Sequence, residues 1–207
     1  MLIYGVGTEA EHEVYVEKIL QQCVNHELAV KLTKSEFHVH QTLFLGHIIN
    51  GSQVQTDPGK LQTMSKRPIP TKRKEVQLFL GFANYYRRFI ENYSAEAYPL
   101  IDIIKDVLFS CGHQQQQAFY EVTTSFLCAP ILTQLEPTLK TIMETDARNQ
   151  AIAGILAQYH IGNGAKQLHA VEYHATTLSA VQRNCPIHDK QLFAIVDSFR
   201  KWSDWLV

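Results

Sequence analysis

The last third of the chain sets the tightest limit on its fold. Three strand-like runs, 139–144, 151–158 and 167–174, come in succession, and Gly162, Asn163 and Gly164 turn the second into the third. A helix from about Pro186 then runs to the end, its apolar residues Leu192, Ile195, Val196, Phe199, Trp202 and Leu206 keeping a helical period. Strand, strand, strand, helix is the grammar of a sheet with a helix packed on it, so the region is read as a βββα unit.

Upstream the signals are mostly helical. Thr8 followed by Glu11 is a capping-box pattern, and Val16, Ile19, Leu20, Cys23 and Val24 keep one face apolar, which predicts a helix over 9–25. Strands are expected at 29–33 and 36–43, and LFLGHII and SQVQT flank Asn50 and Gly51, a dipeptide suited to a tight hairpin. Pro58, Pro68 and Pro70 punctuate the next segment, and Thr71 can cap a helix with the apolar face Val76, Phe79, Leu80, Ala83 and Ile90. Helical stretches are expected at 100–108 and 114–127, with Pro130 breaking the pattern. The fold class is α+β.

A chain of 207 residues, 45% hydrophobic, is long enough for one large or two small domains with buried cores. Its formal net charge of −1 supports no global attraction to nucleic acid or membrane. The distribution says more. Between Lys60 and Arg88 the basic residues are Lys60, Lys66, Arg67, Lys72, Arg73, Lys74, Arg87 and Arg88, against the single acid Glu75. The bland account of such a run is a solvated helix face. Cys23, Cys111, Cys128 and Cys185 are too widely spaced for a zinc ribbon or a disulfide framework, and the histidines lack finger spacing. No window approaches the apolar length of a membrane span, and the N-terminus lacks a signal-peptide layout, so an intracellular, reducing setting is expected. Both termini read as cuts through a longer protein, because MLIYG starts as a strand without a turn and the last helix has no C-cap glycine.

The blocks FLGHII, RPIPTKRKEVQLFLGFANYYRRFI, QQAFYEV, CAPIL, ETDA and NCPIHDKQLFAIV, in this order, resemble the Pol polyprotein of gypsy-type LTR retrotransposons across nearly the whole chain. The resemblance implies the end of a reverse transcriptase palm at 1–56, a helical thumb at 57–108, a connection at 109–138 and a truncated RNase H-like βββα domain at 139–207. It implies a family activity of RNA-directed DNA synthesis and RNA/DNA hybrid hydrolysis, with Mg²⁺ as cofactor and an RNA/DNA hybrid or other nucleic acid as partner. Missing polyprotein segments or another copy are further partners it allows.

The same resemblance marks what is lacking. Polymerisation needs metal-binding aspartates from a Y-x-D-D turn, which would precede Met1, and no Asp-Asp pair occurs in the chain. Lys72, Arg73, Lys74, Arg87 and Arg88 are expected to touch phosphates from the thumb, and Tyr85 and Tyr86 to meet sugar or base planes. Asp146 matches the first metal-binding acid of the nuclease. The position that should hold the second, a glutamate before leucine, is Gln191. A neutral amide is a poor substitute for a carboxylate at Mg²⁺, and Asp189 points about 200° away around the helix. With the later aspartates also lacking, Asp146 is a vestigial ligand of an incomplete site, and the chain is not expected to hold Mg²⁺ stably or to cleave. A noncatalytic nucleic-acid-binding or interaction module, or the product of a decayed element, are the alternatives to an enzyme-derived segment.

Overall fold

The computed structural model describes residues 1–3, 8–105, 109–162 and 165–206. The MLIYG run, the helical stretch beyond residue 105 and the turn at Asn163 and Gly164 lie wholly or partly outside the described residues.

Helix α1 (Glu9–Asn25) begins where the capping box places it. Thr8 N donates to Glu11 Oε2 at 2.8 Å, and Glu11 N donates to Thr8 Oγ1 at 3.4 Å. Those bonds to the ionised form hold the Glu11 carboxyl below its usual range. None of the helix's residues is buried. The strands expected at 29–33 and 36–43 do not form: a 3₁₀ turn at Leu32–Lys34 and irregular backbone lead to strand β1 (Gln41–Phe44). Alternation alone makes no strand, since a ladder needs a partner, and Leu28, Val30, Leu32, Phe37 and Val39 stay exposed.

The LFLGHII run is two strands. After β1 the chain reverses through Leu45 and Gly46, at φ 50° and 77°, into β2 (His47–Asn50), with Phe44 opposite His47. Two central residues at positive φ are what a type I′ turn demands. A second hairpin leads to β3 (Gln53–Thr56). Asn50 pairs with Gln53, so its turn is Gly51 and Ser52, one residue later than the dipeptide suggested. The short strand β4 (Leu132–Thr133) joins the same sheet beside β3, Leu132 opposite Val54.

Between β3 and β4 the described residues form four α-helices and a 3₁₀ turn at Arg87–Phe89. α2 (Pro58–Ser65) starts at a residue that the sequence alone marks as punctuation: Pro58 occupies its first position and Asp57 Oδ1 accepts from Gly59 N at 2.9 Å. In α3 (Arg73–Tyr85) the cap differs from the Thr71 expectation. The Glu75 carboxylate reaches back to Thr71 N at 2.8 Å and Lys72 N at 3.2 Å, which lowers its own pKa. α4 (Tyr93–Lys105) and α5 (His113–Leu127) complete a core in which Val76, Phe79 and Ala83 of α3 meet Leu100, Phe119, Val122, Phe126 and Leu132. This cluster draws residues from both 57–105 and 109–138, Leu132 among them.

Strands β5 (Thr141–Ala147), β6 (Ala151–Gly162) and β7 (Ala165–Thr177) form an antiparallel sheet in that order. A short helix α6 (Ala180–Arg183), capped by Ser179, precedes α7 (Ile187–Lys201). Helices cover both faces of this sheet. On one, Ala147 and Ile152 pack with Ala194 of α7, and Met143, Leu156 and Val171 cluster with Trp202. On the other, Ala170 and Tyr173 of β7 lie against the helical core.

Two polar contacts and one close approach fasten α7 to the sheet. Trp202 Nε1 donates to Glu172 Oε2 at 2.9 Å while Lys201 Nζ lies 3.4 Å from Oε1 of the same carboxylate. His174 Nε2 lies 2.9 Å from Asp197 Oδ2, which also accepts from Thr176 Oγ1 at 3.0 Å. Gly154 lets the helix come close: a Cβ there would meet Ser198 Oγ and stand 3.2 Å from Trp202 Cη2. A further polar device lies at the sheet's entry. The fully buried Gln158 amide donates to Glu136 O at 2.9 Å and Thr141 Oγ1 at 2.9 Å, and accepts from Glu136 N at 2.9 Å.

Only the end of the apolar period read in α7 meets the sheet, where Trp202 is buried and Leu206 packs with it. Lys190, Ala194 and Ser198 are the buried positions, while Leu192, Ile195, Val196 and Phe199 point outward.

Candidate nucleic-acid interface and the Asp146 site

Helix α3 positions most of the basic residues expected to meet phosphates. Its inner face is held by Val76, Phe79 and Ala83, so the turns at its two ends carry polar side chains outward. Lys72 and Lys74 are exposed at its N-terminal end, with Arg73 half-buried between them. Arg87 is exposed just past its C-terminal end. A helix of this length separates the two groups by about 20 Å, the axial span of about six base pairs. Arg88 is partly withdrawn: its guanidinium lies 5.8 Å from the Phe89 ring centre, and its buried Nε has no hydrogen-bond partner among the described residues. Arg67 sits likewise over Phe82 at 5.4 Å.

The two tyrosines are tied to the β1–β2 turn. Tyr85 Oη donates to Leu45 O at 2.5 Å and Tyr86 Oη to Gly46 O at 3.3 Å. A Cβ on Gly46 would stand 2.7 Å from Tyr86 Oη, so both its φ and its neighbour require glycine. His47 is stacked on Tyr85 at 5.4 Å and lies edge-on to Tyr86 at 5.3 Å. Tyr86 is 2% exposed, so its ring has no face left for a base; its place is the core that carries the turn. Tyr85, 51% exposed, keeps one side open. His47 was not among the residues singled out from the sequence, yet it organises this corner. Burial first, then the Arg88 charge, push its imidazole below the usual histidine pKa.

Asp146 stands near the end of β5, opposite Ala153. In an antiparallel pair directly opposed side chains share a face, and neighbours along a strand alternate. Gly154, next to Ala153, faces Ser198 and Trp202 of α7, so Asp146 and Ala153 face the other way. There Asp146 lines a shallow crevice with Arg148, Ala153 and Ala175 of the sheet region and Asn92 and Ala95 at the start of α4. Its Oδ2 accepts from Arg148 Nε at 3.1 Å, and its Oδ1 from Ala147 N at 2.9 Å. Gln191 is exposed on α7, the helix of the opposite face. Asp146 bonds to Ala147 N and Arg148 Nε rather than to Gln191. The nearest α7 carboxylate to the sheet, Asp197, is engaged by His174 and Thr176.

A hexacoordinate, oxygen-seeking Mg²⁺ does not fit this donor set. One carboxylate, already bonded to a guanidinium and ringed by alanines, offers neither the charge nor the number of oxygens. No group of three or more His, Cys, Asp or Glu suited to a metal occurs among the described residues. Arg148 was overlooked in the sequence; its place two residues after Asp146, across a turn from a strand end, was the available signal. Among the described residues, no helix is long and apolar enough to cross a membrane.

Comparison with known proteins bears on this arrangement. Residues 112–207 match the RNase H-like domain found in reverse transcriptase. The chain is 30% identical over 200 residues to the transposon Tf2-3 and Tf2-4 polyproteins of Schizosaccharomyces pombe, covering 96% of this chain and 15% of each relative. It thus spans a small part of the length of these curated relatives. The structure of the foamy viral protease-reverse transcriptase in complex with an RNA/DNA hybrid superposes with a TM-score of 0.77 at 20% identity, over 98% of this chain and 27% of that one. The same enzyme in complex with dsDNA gives 0.75 at 20% identity, over 97% and 42%. The mixed fold of helical region and RNase H-like sheet is shared with these structures. These findings together support a fragment of a retrotransposon Pol polyprotein, with an RNase H-like region over 112–207.

Proposed function

We propose that this chain grips a nucleic-acid duplex, an RNA/DNA hybrid in the first instance, and that its Asp146 site does not hydrolyse it. The observation that carries the reading is the placement of exposed cations at both ends of α3, on a helix whose other side is locked in the core. Lys72 and Lys74 at one end and Arg87 at the other suit contacts to phosphates on successive parts of one groove. Such contacts are independent of sequence. The foamy viral enzyme whose fold is shared is bound to an RNA/DNA hybrid and to dsDNA, which supports a duplex as ligand. Tyr85 can add a contact from its open side, whereas Tyr86 acts only by holding the turn.

The noncatalytic part rests on Asp146 itself. Reverse transcriptase and RNase H families generally use Mg²⁺. The pairing of the matching acid with Arg148, and a neutral Gln191 at the position of the second acid, support this part of the reading.

Hybrid binding measured by fluorescence anisotropy across a salt series tests the first part. The slope of log K against log salt should fall by about two to three when Lys72, Lys74 and Arg87 are changed to Ala together. Unaltered affinity and slope, or no binding at low salt, would refute it. Incubation of a labelled hybrid with Mg²⁺ tests the second part; cleavage that is lost in Asp146→Asn would overturn it.

A further inference from the structure

Strand β7 belongs to two cores at once. A register shift between Leu156 and Ala157 leaves Val171 as an extra residue, with Ala170 opposite Ala157 and Glu172 opposite Leu156. Val171 and Glu172 therefore both face α7, the first packed with Trp202 and the second bonded to its Nε1 at 2.9 Å. On either side of them Ala170 and Tyr173 turn to the other face, against the cluster that holds Phe79, Leu100 and Phe126. Four consecutive residues thus divide evenly between the two coverings of the sheet.

Polar contacts cross the same boundary. Thr133 of β4, a buried residue, donates from Oγ1 to Ala170 O at 3.3 Å. Arg183 of α6 donates from Nη1 to Tyr98 Oη of α4, and its guanidinium lies 5.5 Å from the centre of that ring. The crevice at Asp146 and Arg148 is closed by Asn92 and Ala95 at the start of α4. Both sides of each of these contacts belong to this chain.

Regions joined by a small polar surface swing about their linker. This boundary is different, because the strand that carries the apolar contacts to the helices also carries the anchors of α7. Separating the helices from the sheet would uncover Ala170 and Tyr173 and break the bond to Ala170 O, beside the two residues that hold Trp202.

We propose that the helical region and the RNase H-like sheet form one cooperative body, joined through residues 170–173 of β7 and clasped by Arg183 on Tyr98. On the duplex-binding reading above, a duplex held at α3 then sits at a fixed angle to the sheet rather than across a hinge. The joint itself needs no ligand, and its test uses no nucleic acid, so the two readings fail separately.

Native-state hydrogen exchange of the intact chain tests the proposal. In one cooperative body the slowest amides of α3 and of β7 open together. Phe79→Ala in the helical core should speed both sets by the same factor, about a hundredfold or more, and Val171→Ala beneath Trp202 should speed both by about tenfold. Val76→Ala takes the place of Phe79→Ala if the larger truncation unfolds the chain. Urea unfolding gives a second measure, since both tryptophans, Trp202 and Trp205, lie at the end of α7. Their fluorescence midpoint should fall with Phe79→Ala, or with Val76→Ala, by as much as the circular dichroism midpoint does. Arg183→Ala should speed the slowest amides on both sides by about three- to tenfold. Acceleration confined to the side that carries the substitution, or a tryptophan midpoint that stays put while the dichroism midpoint falls, overturns the single body. An Arg183→Ala effect limited to α6 and its neighbours on the sheet removes the clasp.

Discussion

Helices α1 and α7 have similar lengths, seventeen and fifteen residues, and opposite supports. α1 has a complete capping box and buries nothing. α7 starts at Pro186 with no side-chain cap bond, yet three of its residues are buried and its last turn is fastened to the sheet through Trp202, Lys201 and Asp197. The first is held by chemistry within one turn of its own start. The second is held by surfaces far away in the chain. The difference predicts which substitutions each helix will feel.

The largest effect is expected at Trp202. It is 1% exposed and supplies both the apolar body under β6 and the donor to Glu172. Trp202→Ala should cost about 3–5 kcal/mol in urea unfolding, since it opens a cavity and removes a donor from a buried carboxylate. A loss under about 1 kcal/mol would mean that α7 does not depend on packing, and the contrast with α1 would collapse.

Gln158 comes next. Its amide bonds Glu136 N, Glu136 O, Leu139 O and Thr141 Oγ1 at the entry to the sheet, and Gln158→Leu would leave Glu136 N and O without those partners. The expected cost is about 1–3 kcal/mol, with faster hydrogen exchange at the Glu136 amide as the local signature. Unchanged exchange there would show that the segment before β5 is held by its own turn.

How much of this could be read beforehand varies with the range of the cause. The start of α1 was legible because Thr8 and Glu11 act within one turn. The extents of β5 to β7 and the α7 boundary were close to expectation, because turn residues and Pro186 mark them. The break in LFLGHII was not: Leu45 adopts φ 50° because Tyr85 and Tyr86, forty residues on, bond its turn. Nor was the orientation of α7. Leu192, Ile195, Val196 and Phe199 point outward, while Ser198 and Trp202 take the close approach that Gly154 leaves open. In the Asp146 region the residue type was legible through family resemblance, while its sheet face emerged only from the register with Ala153.

His47 sharpens the comparison from the side of pH. Burial among Tyr85, Tyr86 and Phe89 and the nearby Arg88 depress its pKa in the folded state, so the unfolded chain takes up a proton first as pH falls. Its contribution is intact above the unfolded value near 6.5 and is lost as pH drops from there through the depressed folded value. Its Nδ1 is buried without a hydrogen-bond partner among the described residues. His47→Phe should therefore flatten the loss of stability below about pH 6.5 relative to wild type. Glu96 works in the opposite sense: burial raises its pKa, so that its neutral form is favoured and its contribution improves as pH falls through the raised folded value. Equal acid slopes in wild type and His47→Phe would exclude the histidine as the source.

The smallest effect is expected at Thr8. Thr8→Ala removes the acceptor for Glu11 N and should lower the helical content of α1, an N-cap of this kind being worth about 1 kcal/mol to its own helix. Because α1 buries no residue, that loss has no route into the cores. The two tryptophans, Trp202 and Trp205, both lie at the end of α7, so their fluorescence reports the packed region while circular dichroism reports the sum. A fall in helical signal with an unmoved fluorescence midpoint in urea is the expected pairing. If the midpoint moved with it, α1 would be coupled to the cores through contacts other than burial, and local chemistry could no longer be set against packing as the two ways this chain holds a helix.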